Sequence, residues 1–304
     1  MLENPNVWDI MGLQVEHFER LELVMLDLTV IILTKNEENN LEKCIRSLGD
    51  IAKRVVIVDS FSTDGTVELA KRLGVDVYQN PWIDYATQLN WGLEHTYIDT
   101  KWTMRMDADE ELLPELVDEI KAVLPSLDEK VKGIELRRRV YFMGRWIRHG
   151  GIYPTIMLRI FQTGFCKCEQ TIMDEHMYLT EGETITLKND FIDKNTKSLE
   201  WWIGKHNWYS DREVQDYLDK QRQLEEDDTI RPRLFGNQAE RKRWLKYVVY
   251  YHTPLMRRAH WYFIYRYIFR LGFLDGKEGL IFHFLQGYWY RFLVDAKIYE
   301  QSKK

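Results

Sequence analysis

The feature that most constrains this chain is a repeating order in its first third. Short, β-branched apolar runs end in polar or acidic residues and are separated by segments with helical spacing. Leu28–Thr34 (LTVIILT) is too short for a helix and lacks the alternation of a half-exposed strand, so it predicts a strand buried on both faces. Leu41–Leu48 has helical apolar spacing, and Arg54–Ser60 (RVVIVDS) is a second buried strand closing on an acid, which completes a β-α-β unit. Turn and N-cap residues from Ser62 to Thr66 precede a helix over Val67–Leu73. Val75–Tyr78 supplies a third strand, Asp84–Thr96 a helix, and Trp102–Met106 a strand running into Asp107, Ala108 and Asp109. This alternation implies an α/β fold whose ligand sits at the carboxyl ends of the strands.

From Gly133 to Phe161 the pattern changes to strands rich in Arg, which reads as a mixed-sheet extension facing a second substrate. Beyond about Phe235 the chain becomes helical, basic and aromatic. The expected organisation is an N-terminal extension (1–27), an α/β catalytic domain (28–235) and a helical C-terminal segment (236–304). Within the catalytic domain, about 28–110 forms a donor half and about 111–235 an acceptor half.

Composition excludes some classes. Hydrophobic residues at 45% and charged residues at 30% suit a buried core rather than disorder. A formal charge of −6 argues against a nucleic-acid binder, although Arg and Lys outnumber Asp and Glu from Arg241 onward. Three cysteines with no framework spacing suit a reducing compartment, and no further Cys/His set joins Cys166 and Cys168 to complete a metal site. The N-terminus lacks a basic start followed by an apolar run, so it does not read as a signal peptide. No stretch reaches the roughly 18 apolar residues of a membrane span. The expected location is therefore cytoplasmic or on a membrane surface.

Asp107 and Asp109 stand two apart at a strand end and, if extended, project to one side, where two hard oxygen ligands can hold Mg²⁺ or Mn²⁺ and through it a diphosphate. Solvated strand-end acids, or helix-start acids together with Glu110 and Glu111, are the plainer reading. No G-x-G-x-x-G follows a strand, and neither H-E-x-x-H nor G-x-S-x-G occurs. The nearest approach to a phosphate-binding loop, Gly272 to Lys277, is one residue short and continues with Glu278.

The company of the acid pair sharpens the reading. Thr34, Lys35, Asn36 and Glu37 follow the first strand; Asp59 to Thr66 (DSFSTDGT) follow the second; Asp107 to Glu110 come next. Arg148 to Pro154 (RHGGIYP), Leu158 to Phe161 (LRIF) and Gly272 to Gly276 (GFLDG) come later. In this combination the chain resembles glycosyltransferase family 2, with its GT-A nucleotide-sugar fold, and within it the bacterial branch that builds lipopolysaccharide core, O-antigen and exopolysaccharide. The resemblance runs from about Leu28 to Glu300.

The resemblance implies that Thr34, Asn36 and Glu37 line a nucleotide pocket, that Asp59 binds the base, and that Asp107 and Asp109 handle ribose, divalent metal (Mn²⁺ or Mg²⁺) and diphosphate. Asp59 could instead cap a helix, and Asp64 is equally well placed to do so. Gln88 and Asn90 fall where such enzymes contact the donor, although exposed helix polars would look the same. A His-Glu or Glu-Asp pair commonly stands where this chain has Asp174, Glu175 and His176, its second member serving as base. That maps onto Glu175, with Asp174 as the alternative one residue away. Arg148, His149, Arg159 and His176 are candidates for contact with diphosphate or acceptor; structural pairing to nearby acids is equally open.

The implied activity is inverting transfer of a hexose from a nucleotide sugar, a UDP-sugar by resemblance, to a hydroxyl of a lipid-linked or lipopolysaccharide-type glycan. Two rivals remain: a sugar nucleotidyltransferase, for which Lys35 to Glu38 is a poor phosphate loop, and a non-catalytic, membrane-docked partner of a glycan assembly complex. In the tail, Arg258, Arg266 and Arg270 recur at four-residue steps beside Trp261, Ile264, Tyr265, Ile268 and Leu271. Such a helix suits an anionic membrane surface, which predicts peripheral attachment on the cytoplasmic side of the inner membrane. The alternative is that these helices pack on the catalytic domain or form a dimer, which leaves a homo-oligomer open.

Overall fold

The computed structural model describes residues 25–171, 175–222 and 232–303. Nearly all of the expected N-terminal extension, and Asp174, lie outside the described residues.

The α/β alternation is present at the expected places. Strand β1 (Leu26–Thr34) is followed by helix α1 (Leu41–Ser47), β2 (Ala52–Asp59), α2 (Thr66–Arg72), β3 (Asp76–Gln79), α3 (Tyr85–His95) and β4 (Trp102–Asp107). β1 pairs in parallel with both β2 and β4, and β2 pairs in parallel with β3. Alternation of side chains explains the run of apolar residues in β1. Leu28, Val30 and Ile32 enter one core with Leu41 and Cys44 of α1, while Ile31 and Leu33 enter a second with Ala86 and Leu89 of α3.

The chain then builds a second half. β5 (Glu110–Leu112), α4 (Pro114–Val123), β6 (Val131–Phe142), β7 (Arg145–Ile147), β8 (Thr155–Gln162) and β11 (Glu183–Lys194) follow, with β9 (Cys166–Cys168) and β10 (Met177–Leu179) forming a separate hairpin. The large sheet runs β3-β2-β1-β4-β8-β6-β11-β5, with β7 on the side of β6. β8 is antiparallel to β4 and to β6, so the sheet changes from parallel to mixed where the two halves join. This is the expected GT-A arrangement, a parallel α/β half continued by a mixed-sheet extension. The turn between β4 and β5 crosses from one half to the other: Asp107 ends β4, and Glu110 pairs with Asp193 at the far edge.

Helix α5 (Leu199–Arg222) precedes α6 (Gln238–Trp244), α7 (Arg257–Ile264), α8 (Gly276–Phe282) and α9 (Tyr290–Gln301). Val214 of α5 shares a small core with Tyr290, Val294 and Ile298 of α9. Phe282 of α8 packs on Phe142 and Ile147 of the sheet. The C-terminal segment is thus one wall of the molecule.

The tail corrects an expectation. Arg258 and Arg266 are buried, whereas Trp261, Ile268 and Phe269 are exposed. The face that carries Arg258 and Arg266 is turned inward, and a widened π turn at Tyr265–Phe269, followed by Leu271 with a left-handed φ of 60°, parts Arg270 from it. Inside, Asp295 accepts a hydrogen bond from Arg258 (2.7 Å), and the carbonyl of Gly150 accepts one from Arg266 (3.3 Å). Arg270 remains exposed.

Candidate active site

The carboxyl ends of β1, β2 and β4 meet at one edge, where Thr34 pairs in register with Asp59 and Leu33 with Asp107. Asp59 is fully buried. Its carboxylate accepts hydrogen bonds from the Thr34 hydroxyl (2.9 Å), the Ser62 backbone N–H (2.8 Å) and the Gln79 amide (3.1 Å). Burial works against its charge, but these donors, with the Ser62 hydroxyl, outweigh it and hold the carboxyl below the usual range. Asn36, in a left-handed conformation (φ 56°), receives the N–H of Thr63 on its side-chain oxygen (2.8 Å), and its own N–H goes to the Ser62 hydroxyl (2.8 Å). Glu37 is bridged to Asn40 and Lys197. Asp64 accepts from the N–H of Thr66 (3.1 Å), so it stabilises the start of α2, as its capping alternative anticipated.

Asp107 and Asp109 have opposite surroundings. Arg105 donates to both oxygens of Asp107 (3.0 and 2.8 Å) and the Tyr85 hydroxyl adds a third bond (3.0 Å). Burial opposes its charge, but Arg105 and Arg159 outweigh it and pull the carboxyl down to about 2. Asp109 has Asn195 as a donor (3.2 Å). Burial, with Asp193 and Asp107 beside it, pushes its carboxyl up to about 7. A half-buried carboxylate that its neighbours make reluctant to ionise is a fit partner for a cation. Among the described residues no set of three His, Cys, Asp or Glu gathers into a complete metal site. The chemistry therefore fits a divalent ion held by one or two carboxylates, with oxygens of a diphosphate and water completing its shell.

Asp107 and Asp109 open into a cleft of about 2620 Å³. Thr34, Asn36 and Glu37 after β1, Glu175 and His176 before β10, and Trp201, Lys205 and Arg241 of the helices line it. The Glu175 carboxylate is 17% exposed, with the Arg212 guanidinium 4.0 Å away. His176 stands beside a buried ion pair: Arg243 donates to both oxygens of Glu169 (2.9 Å each) and also reaches His176 Nδ1 (3.2 Å). The sequence thus identifies seven residues that the fold brings to this single cleft: Thr34, Asn36, Glu37, Asp107, Asp109, Glu175 and His176.

Other candidates stand elsewhere. Gln88 is not an exposed helix polar: it is fully buried, accepts from Asn80 (2.8 Å) and donates to the Ser60 hydroxyl (3.0 Å). Asn90 exchanges two 3.0 Å bonds with the backbone of Cys168, tying α3 to β9. Arg159 is buried against Glu110, which takes up its charge inside the protein. Arg148 is exposed and lies over the Trp146 ring. His149 bonds Asp275 through its backbone N–H (2.9 Å) and Nδ1 (2.6 Å), and the Gly150 N–H donates to the Arg270 carbonyl (2.8 Å). The motif from Arg148 to Pro154 and that from Gly272 to Gly276, about 120 residues apart, therefore clasp each other.

Arg105 and Tyr85, which orient Asp107, were not singled out by the sequence reading, nor were Lys197, Asp193 and the Glu169–Arg243 pair. For Arg105 a signal exists, since it stands two residues before Asp107 on one strand and so shares its face. The others come from distant segments, and only the fold joins them.

Residues 29–177 match the model of Glycosyl transferase family 2. An uncharacterized glycosyltransferase of Rickettsia bellii is 29% identical over 207 residues, covering 65% of this chain and 69% of that protein. The lipopolysaccharide core biosynthesis glycosyltransferase LpsC of Rhizobium meliloti is 35% identical over 144 residues, 46% of this chain and 52% of that protein. Among solved structures, S. aureus TarS 1-349 is 12% identical with a TM-score of 0.42, covering 90% of this chain and 91% of that one. Residues 29–177 thus form a glycosyl transferase family 2 domain.

Proposed function

We propose that this glycosyltransferase moves a hexose from a UDP-sugar to a hydroxyl of a lipid-linked or lipopolysaccharide-type glycan, with inversion at the anomeric carbon. One observation carries this reading: Asp107, Asp109 and Glu175 line one cleft. A pocket that joins a diphosphate-holding pair of acids to a further carboxylate suits a single displacement. Glu175 takes the proton of the acceptor hydroxyl; that oxygen bonds to the anomeric carbon as the bond to the diphosphate breaks, and the nucleoside diphosphate departs. Asp174 is the alternative base and lies outside the described residues. Asp59, buried and ionised, is suited to accept an N–H of the nucleotide base or a ribose hydroxyl. Asp109, with Asp107, would hold Mn²⁺ or Mg²⁺, which supplies neutralisation of the diphosphate charge when bound. Similarity to LpsC supports a lipopolysaccharide-type acceptor.

A donor screen that records nucleoside diphosphate release, together with the mass change of a lipid-linked acceptor, tests the reading. Asp109→Ala is expected to abolish metal-stimulated transfer while the protein stays folded. Full activity in this variant, or in excess chelator, would remove the metal from the scheme.

We further propose peripheral attachment to the cytoplasmic face of a membrane through the C-terminal helices. No helix among the described residues is long and apolar enough to cross one. Trp261, Ile268, Phe269, Phe273, Leu274 and Leu280 form a largely exposed apolar set on these helices, and such surfaces mark interaction sites.

A further inference from the structure

Arg266 is an unusual arginine. Its side chain is 3% exposed, its Nε donates to the Gly150 carbonyl (3.3 Å), and its Nη2 has no hydrogen-bond partner. Among the described residues no carboxylate lies within ion-pairing distance of it, whereas its neighbours Arg258 and Arg291 are matched by Asp295 and Glu213. Arg266 also hydrogen-bonds the Tyr262 hydroxyl, but a buried guanidinium with a phenol and a carbonyl in place of an acid is costly, and an anionic ligand would complete it.

The surroundings point to the kind of ligand. Arg266 and Arg291 both lie against the Tyr262 ring, at 5.4 and 5.8 Å from its centre. Burial should raise the Tyr262 phenol, yet Arg266 and Arg291 outweigh it and hold it below its usual value, a sign of strong local positive potential. Gln286 Oε1, also buried, has no hydrogen-bond partner. All four side chains line the same cleft as Asp109 and Glu175.

We propose that Arg266, with Arg291 beside it, forms an oxyanion subsite at the helical end of the cleft, and that this subsite binds a phosphate or carboxylate carried by the acceptor glycan. Arginine suits this task because its planar fork grips two oxygens at once. Gln286 Oε1 accepts a neighbouring sugar hydroxyl. The assignment of the anion to an acceptor rests on the transferase reading above; the anion site itself does not.

The test is thermal unfolding of the full chain with sodium phosphate, glucose 6-phosphate or glucuronate, against sodium chloride at matched ionic strength, with and without UDP. The wild-type midpoint is expected to rise with at least one of these oxyanions beyond the chloride control. Arg266→Met is expected to be at least as stable as wild type without ligand, because it removes an unmatched buried charge, and to lose the oxyanion-specific rise; Arg266→Lys keeps part of it. An undiminished rise in Arg266→Met, no rise in wild type, or a lower ligand-free midpoint in Arg266→Met would overturn the assignment, the last by making Arg266 structural. Binding to phosphatidylglycerol vesicles with no response to the soluble anions would place the anion on a lipid surface and overturn it equally. Failure of the transferase reading shows separately, as absent nucleoside diphosphate release with the anion response intact.

Discussion

Two carboxylates two positions apart on one chain behave differently here because of what surrounds them. Asp107 is pinned by Arg105 and Tyr85 and stays ionised, whereas Asp109, among Asp193 and Asp107, resists ionisation until a positive partner arrives. The same principle bears on the proposed base. Glu175 faces the cleft with Arg212 behind it at 4.0 Å, so its amide isostere should preserve the pocket while removing the proton acceptor. Glu175→Gln is expected to leave UDP affinity near wild type and to lower turnover by roughly 10²–10⁴-fold, the usual loss on removing a general base. If Asp174→Asn has that effect and Glu175→Gln does not, the base is one residue earlier.

At the scale of elements, the C-terminal helices show how one register shift redistributes chemistry. A regular helix would place Arg258, Arg266 and Arg270 on one face; Arg258 and Arg266 do share an inward face, whereas Arg270 is parted from them by the π turn at Tyr265–Phe269, and Ile268 and Phe269 stand at 51% and 73% exposure. Membrane attachment should then depend more on apolar contact than on Arg258 and Arg266. The exposed Arg257, Arg270 and Lys277 still supply attraction, each worth on the order of 1 kcal/mol at an anionic surface. Liposome flotation is expected to rise with anionic lipid and to fall sharply in an Ile268→Glu, Phe269→Glu double variant that retains nucleotide binding. A folded wild-type protein that ignores anionic liposomes at low salt would end the idea.

At the scale of the whole molecule, the cleft exists because the helices after β11 fold back over the sheet, and two histidines, His206 half-buried and His283 buried, take part in that closure. His206 of α5 stacks on Trp202, and His283 lies between Gly150 and Gly272, where an added Cβ at either glycine would collide with its ring. Burial pushes both imidazoles down to about 4, aided by Lys205 for His206 and by Arg266 for His283. The unfolded chain, with ordinary imidazole values near 6.5, takes up these protons first, so stability is full above that value and is lost as pH falls toward 4. The raised Asp109 and Glu110 carboxyls act in the opposite sense over the same range, so the rings are read by difference: from pH 7.5 to 4 the urea midpoint of wild type should fall relative to that of His206→Phe. Parallel profiles in the two proteins would mean that the His206 ring is not held neutral.

The α/β alternation, the acids at the strand ends and the family they belong to were legible in the sequence, because strand periodicity and short motifs are local and survive without knowledge of packing. Thr34, Asp59 and Asp107 could be placed together for the same reason, as each terminates a recognisable apolar run. The roles of Gln88, Asn90 and Arg159 could not, since a polar side chain's exposure depends on segments far away: Asn80, Cys168 and Glu110 are what turn these three inward. The inward turn of Arg258 and Arg266 was likewise hidden, because Asp295 and the Gly150 carbonyl, which meet them, come from distant segments. Sequence alone determined the class of fold and the sheet edge at which its strand-end acids gather. Only the tertiary structure decided which charges face the cleft and which are spent within the protein, because burial and pairing are properties of distant segments brought together.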